Sequence, residues 1–306
     1  MKILDVLIMI VLFIILIFGA YLLWLNFPTS SIEFEQYKAN ISEEFPEKSS
    51  QFYTNMRYPT DNIGYTFASR CGERKREDVK KAVERLETET ILKFHEASSN
   101  TQILITCSQD APEPEQEGHF VAGEGGPTLI INASRYSVIL GGKVSLFRAD
   151  KCDKPQIATH EILHALGFDH NSNEKSIMYP ITNCDQEIDQ HIVEEIRRLY
   201  SQKAAGDLLI ESVDAEKSGP YLGFEITIAN FGLKEISQSS LKLFAEDSEI
   251  REFEVGTLDI GSKKTLTIKN LRVPRDTERI KFSIVTPEEE ISKNNNEASL
   301  RIVESD

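Results

Sequence analysis

Twenty consecutive residues close to the N-terminus carry no charge: Val6 to Leu25, "VLIMIVLFIILIFGAYLLWL". As a helix, this run reaches about 30 Å, the thickness of a bilayer's hydrocarbon core. Tyr21 and Trp24 lie near its far end, where amphipathic rings favour the membrane–water interface. A cleaved signal peptide has a shorter apolar region, of about 7–15 residues, closed by a small-residue cleavage site. Here Gly19-Ala20 is followed by more apolar residues, so residues 1–27 read as an uncleaved transmembrane anchor. Lys2 and the amino terminus precede the span, and Glu33 and Glu35 follow it. That asymmetry predicts a single-pass cell-membrane protein with a cytoplasmic N-terminus and its bulk outside, with later release by cleavage left open.

The 306 residues suffice for two modest domains beyond the anchor, and 40% hydrophobic residues suffice for their cores. The net charge of −15, from 34 basic and 49 acidic side chains, argues against a nucleic-acid partner, whose phosphates need a basic surface. Four cysteines, Cys71, Cys107, Cys152 and Cys184, include no C-x-x-C pair, which argues against a zinc knuckle. In an exported chain they read as two disulfides with three connectivities open. Cys71–Cys107 with Cys152–Cys184 is the preferred pairing, because Cys71 and Cys107 follow and end two strands expected to be parallel neighbours.

Residues 28–55 are polar and weakly periodic and read as a stalk. Residues 56–201 alternate strand and helix. Ile63–Ser69 and Ile103–Cys107 are expected strands, and Asp78–Thr90 is an expected helix with Val79, Ala82, Val83 and Leu86 on one face. Gly125–Ser134 reads as a strand, and Ser137–Phe147 as a hairpin on Gly141-Gly142. A helix is expected from Asp153, as N-cap, with Pro155 in its first turn. Another is expected from Asp185 to Tyr200, with Ile188, Ile192, Ile196 and Leu199 as its stripe. After a linker, residues 207–306 change to period two with no helix signal and read as an all-β, Ig-like sandwich.

The stretch "HEILHALGFDH", His160 to His170, holds three of the six histidines. On a helix, His160 and His164 share one face a turn apart, while Ile162, Leu163 and Leu166 point the other way. Gly167 permits a chain reversal, and His170 returns as a third nitrogen. Three imidazoles suit one zinc ion with a fourth position open to water. Glu161, beside them, is placed to take a proton from that water. His95, His119 and His191 stand alone and read as surface or packing residues.

This stretch resembles the zinc signature of the metzincin metallopeptidases. "SIMYP", Ser176 to Pro180, is similar to their methionine turn, with Met178 as the turn residue. Within metzincins, residues 56–201 resemble the matrixins in strand–helix–strand order, in Met-Tyr-Pro at the turn and in a following helix ending Leu-Tyr. The resemblance implies an α+β fold, a mixed twisted sheet with three helices. It also implies an edge strand at "GGPTLIINA", where Thr128, Leu129 and Ile130 would pair with substrate. Tyr179 and Pro180 are then expected to line the substrate site. No His-rich loop matches a second, structural zinc, and no calcium site is evident. "SRCGE", Ser69 to Glu73, is similar to the matrixin cysteine switch but follows the first strand, so Cys71 reads as a disulfide cysteine. "ESVDAEKSGPYLGFEITIANFG" and "VTPEEEISKNNNEASLRIV", with an acidic, Asn-rich turn before the last strand, make residues 207–303 resemble the CARDB-type modules of prokaryotic surface proteins, which implies a binding module for a surface ligand. The expected function is a membrane-anchored zinc endopeptidase acting on protein or peptide. The alternative is an adhesion protein with a non-catalytic zinc site.

Overall fold

The computed structural model describes residues 3–40, 50–99, 101–113, 120–133 and 135–303. Lys2, His119 and residues 41–49 of the expected stalk lie outside these. In chain order, helix α1 (Ile3–Asn26) precedes two short strands, β1 (Ser31–Glu33) and β2 (Tyr37–Lys38). Then come β3 (Met56–Arg57), β4 (Asn62–Phe67), α2 (Glu73–Glu89), β5 (Lys93–Glu96) and β6 (Ile103–Cys107). They are followed by β7 (Gly123–Ala133), β8 (Tyr136–Leu146), α3 (Gln156–Ala165) and α4 (Gln190–Ser201). The remainder is all strand: β9 (Leu208–Ser218), β10 (Tyr221–Asn230), β11 (Ser240–Ala245), β12 (Ser248–Glu254), β13 (Lys263–Arg272), β14 (Arg279–Val285) and β15 (Glu297–Arg301).

These elements form two compact units. The first contains a sheet of order β3-β8-β6-β4-β5, all pairs parallel, with β7 antiparallel on β8. Val79, Ala82, Val83 and Leu86 are the buried face of α2, as the period requires, and pack with Ile63, Ile103 and Ile105 of the sheet in one core. Helix α4 buries Ile192, Val193, Ile196, Leu199 and Tyr200 in the same core. Arg57, 1% exposed, holds β3 to the end of α4. Its guanidinium donates to the carbonyls of Leu199 and Gln202 and lies 4.5 Å from the Tyr200 ring centroid. A cation on the last carbonyls of a helix also complements its dipole.

Several elements depart from the sequence reading. Ser137–Phe147 is not a hairpin. Residues 136–146 form one strand, and Gly141-Gly142 lie inside it. A Cβ on Gly142 would sit 2.3 Å from the Tyr58 hydroxyl, which donates to the Ala165 carbonyl at 3.0 Å. The glycine pair makes room for a close approach, not a turn. Helix α3 begins at Gln156, and its cap is not Asp153. Asp150 accepts from the Ile157 N–H at 2.8 Å and so satisfies one of the free amides of the first turn. Helix α4 begins at Gln190, five residues after the expected start, because the polar side chains before it serve other segments. Gln186, fully buried, accepts from Asn183 N–H and donates to the carbonyls of Glu174 and Ile181. Asp189 accepts from Asn173, and from Ser176.

The second unit holds α1 and two antiparallel sheets, β1-β9-β10-β13, with β2 also on β9, and β12-β11-β14-β15. Inward residues of both, among them Ile226, Ile228, Leu241, Leu243, Phe282 and Ile284, form one core. Strands β1 and β2 come from the stretch read as a stalk. Ser31–Glu33 pairs with Ser218–Glu216, and Tyr37 with Val213, so part of that stretch extends a sheet. The division at residue 207 is also not clean, since Phe231–Glu235 cluster with the first unit. The Phe231 amide donates to Asp207 O and the Leu233 amide to Ala205 O, at 2.9 and 2.7 Å. Helix α1 is long and apolar enough to cross a membrane, and its span buries nothing within the protein.

Candidate metal centre

Helix α3 carries the site because its two faces differ. Ile162 and Leu163 are at most 1% exposed and anchor it in the core. Leu166 continues that anchor. His160, Glu161 and His164 occupy the other side and are also buried, at 5 to 6%. Gly167 then turns the chain at φ +95°, a region that excludes most side chains. A Cβ there would also lie 2.8 Å from that of Met56. The reversal returns His170 to the other two rings.

The three Nε2 atoms converge: 3.0 Å for His160–His164, 3.1 Å for His164–His170 and 3.2 Å for His160–His170. The opposite ring nitrogens of His160 and His164 are occupied. His160 donates its Nδ1–H to the Ile177 carbonyl at 2.5 Å, and His164 donates its Nδ1–H to the Phe168 carbonyl at 2.7 Å. These bonds fix the tautomer of both rings, so their Nε2 atoms present lone pairs to the space they share with His170. Burial lowers the basicity of His160 to a pKa of about 3 and of His164 to about 4, and burial also lowers that of His170. The cluster is therefore neutral near pH 7. Tetrahedral zinc at about 2.0–2.1 Å from nitrogen needs N–N separations of about 3.3–3.4 Å, which this triangle approaches. The donor set fits that ion. Among the described residues these three form the one His, Cys, Asp or Glu group gathered tightly enough for a metal.

Glu161 has an unusual setting. It is 6% exposed, and among the described residues its carboxylate has no ion pair or hydrogen bond. Burial raises its pKa from 4.5 to about 8, with Glu124 contributing in the same direction. Strand β7 lies against it. A Cβ on Gly123 would fall 2.7 Å from Glu161 Cγ, and one on Gly125 only 2.1 Å from the Glu161 carbonyl oxygen. The glycines of β7 are what let this strand pass so near the helix. Further along β7, Thr128, Leu129 and Ile130 are exposed, and among the described residues the strand pairs only with β8.

Ser176 to Pro180 forms a tight turn beside the histidines. Met178 is fully buried, its N–H donates to Ser176 Oγ, and its carbonyl accepts from Asn171 N–H. Tyr179 is half-buried and Pro180 exposed. The cysteines pair as Cys71–Cys107 and Cys152–Cys184. Phe52 was not singled out by the sequence, yet its ring stacks on His164 with centroids 5.7 Å apart. It sits in an irregular stretch where Phe52 N–H donates to Gly167 O and Asp169 N–H to Ser50 O. No motif or periodicity marks such a residue. His95 accepts its role as a surface residue, bonded to Asn62 Oδ1 at 2.9 Å.

Residues 56–201 match the family model of the matrixins, Peptidase_M10. This stretch is therefore similar to a matrixin domain. The match supports a zinc metallopeptidase, and the histidine triad is a group that could hold a metal ion. No curated protein matches the chain. Among solved structures, the chain is similar to the CARDB domain of the PF1109 protein from Pyrococcus furiosus, a domain solved in complex with di-metal ions. The identity is 18%, covering 31% of this chain and 90% of that one, with a TM-score of 0.26.

Proposed function

We propose that this protein is a zinc endopeptidase, anchored in the membrane by α1 with both folded units outside the cytoplasm. The observation that carries the reading is Glu161, a buried carboxylate that has no partner among the described residues, next to three imidazoles whose Nε2 atoms face one another. A purely structural metal site has no use for such a base, which disfavours the adhesion reading. Zinc held by His160, His164 and His170 would supply a Lewis acid for the scissile carbonyl and for the attacking water. Glu161 accepts a proton from that water and delivers it to the leaving amine. Its raised basicity suits the first step, and its burial keeps the proton from being lost to solvent. The edge of β7 near Thr128 to Ile130, which among the described residues pairs with no strand but β8, receives the substrate as an added strand, with main-chain hydrogen bonds setting its register. Leu129 and Ile130 offer apolar contact there, and Tyr179 and Pro180 wall the site beyond the scissile bond. The C-terminal sheets serve as an Ig-like, CARDB-like module for presentation or for a surface ligand.

The test is a casein digest by the purified protein with metal content measured in parallel. Glu161→Ala is expected to retain about one zinc per chain while losing at least about 10³-fold in activity, in keeping with the loss of a general base. Equal cleavage by the variant would defeat the mechanism.

A further inference from the structure

Helix α1 ends against loops of the two-sheet unit. Arg275 donates through Nη1 to the carbonyls of Trp24 and Phe27, at 2.7 and 2.9 Å, and its guanidinium lies 4.7 Å over the Trp24 ring. The Tyr221 hydroxyl donates to Asn26 O at 3.3 Å, and the Gly219 amide to Thr29 Oγ1 at 2.8 Å. Gly219 is at φ +60°, and a Cβ there would stand 2.8 Å from the Phe27 carbonyl, so the turn is fitted to the helix end. These contacts hold the loops around 219 and 274 level with Trp24. A cavity of about 340 Å³ opens there, lined by Leu25, Pro220, Arg272, Val273, Pro274 and Arg275.

Arg272 is exposed at the end of β13 and, among the described residues, its guanidinium has no ion pair or hydrogen bond. Arg275 uses one nitrogen on the helix end, which leaves Nε and Nη2 of its five-donor fork. Two guanidinium groups at one mouth stand out in a chain of net charge −15. The buried Lys217 donates its ammonium to the carbonyls of Arg275 and Thr277, and among the described residues neither Arg272 nor Arg275 has an ion pair with a carboxylate. Where α1 spans a bilayer, Trp24 lies at the interface, which is also the level of the lipid phosphates.

We propose that Arg272 and Arg275 bind the phosphate of an anionic phospholipid headgroup, seating the two-sheet unit on the membrane surface. Leu25 and Pro274 supply the apolar side of the cavity, toward the glycerol and first methylenes. The inference rests on α1 spanning the membrane, as proposed above.

Trp24 is the chain's single tryptophan and reports on this position. The full-length protein is reconstituted into phosphatidylcholine vesicles containing a fixed minor fraction of brominated lipid, either phosphatidylglycerol or phosphatidylcholine, and Trp24 fluorescence is recorded. Brominated phosphatidylglycerol is expected to quench at about a fivefold lower mole fraction, the contribution of one arginine near an anionic surface. Arg272→Gln is expected to abolish that preference and leave quenching by phosphatidylcholine unchanged. Equal quenching by the two lipids in the unmodified protein, or a preference that survives Arg272→Gln, overturns the headgroup site while the span stands. Equal quenching by the two lipids together with Arg272-dependent binding of inorganic phosphate, measured by isothermal titration calorimetry, overturns it in favour of a free-phosphate site. Absence of quenching by either lipid overturns the span itself, and the site with it.

Discussion

His160 donates its Nδ1–H to the carbonyl of Ile177, the residue just before Met178, at 2.5 Å. The turn around Met178 therefore sets the rotation of the first ring of the triad. Met178 is fully buried, so its side chain supports that turn from the core. Met178→Ala is expected to cost about 2–5 kcal/mol through the cavity it leaves. It should also weaken zinc retention about 10–100-fold, as loss of an orienting contact does. Met178→Leu, which conserves volume, should cost under about 1.5 kcal/mol and keep the metal. Chemical denaturation and competition with a chromophoric chelator measure both effects. Undiminished zinc affinity in a folded Met178→Ala protein would disconnect the turn from the site.

Glu161 makes the metal-free fold sensitive to pH in a predictable direction. Its pKa is about 8 in the folded chain against 4.5 ordinarily. Between those values the folded state holds a proton that the unfolded state has released, so stability falls as pH rises through that window. Glu161→Gln removes this term. His160 and His164, held down to about 3 and 4, act in the opposite sense, since the unfolded chain gains protons as pH falls below 6.5. That contribution is common to both proteins and cancels in the comparison. In chelator, the variant should match the parent near pH 4.5 and be more stable by about 2–4 kcal/mol above pH 8. A scan of melting temperature against pH tests this, and a gap that stays constant with pH rules it out.

The gathering of His160, His164 and His170 was legible because it rests on local spacing, one helix turn followed by one glycine reversal, whereas Met178 was placed only by the resemblance to the metzincin turn. The disulfide partners were legible from strand order. What the sequence obscured depends on distant neighbours. Gly141-Gly142 has the composition of a turn, and only the Tyr58 hydroxyl across the sheet reveals a strand. Asp153 looks like a cap, but Asp150, further back, reaches the helix amides. The start of α4 was read early because Gln186 and Asp189 suit a helix surface. Their actual partners, Glu174, Ile181 and Ser176, lie in another segment. Strand β12, "SEIREFE", is mostly exposed and charged, so hydrophobic alternation did not reveal it. Phe52 lies outside any periodic element, and only its stacking on His164 gives it meaning.

The two disulfides should separate stability from metal retention. Cys152–Cys184 spans 32 residues and encloses α3, His170 and Met178. Cys71–Cys107 spans 36 and encloses none of them. Loop closure of either length is worth about 3–4 kcal/mol in the chain-entropy account. The double serine variants should therefore lose similar stability. Zinc loss to a chelator should accelerate markedly only without Cys152–Cys184, since only that loop carries the ligands. Gln156 donates to the Cys184 carbonyl at 2.9 Å and should keep the fold from opening altogether. Equal acceleration in both variants would mean that metal release follows global stability alone.

Strand β7 offers a paired test of how closely the edge strand must approach α3. A methyl group at Gly125 would meet the backbone of Glu161, at 2.1 Å from the carbonyl oxygen, and neither partner is a flexible side-chain tip. At Gly126 a methyl group meets nothing within 4 Å. Gly125→Ala must therefore push β7 off the helix, which moves both the edge near Leu129 and the surroundings of Glu161. It should destabilise by about 1–3 kcal/mol, the usual range for overpacking. It should also reduce kcat/KM on peptide substrates by at least about tenfold, since a misplacement of 1 Å near a reacting centre can cost 10²-fold. Gly126→Ala should stay within about 0.5 kcal/mol of the parent and keep its activity. Peptide kinetics at a temperature where all three proteins are folded separate misplacement from unfolding. If Gly125→Ala cleaves as well as Gly126→Ala there, the close passage of β7 is not what positions substrate against Glu161.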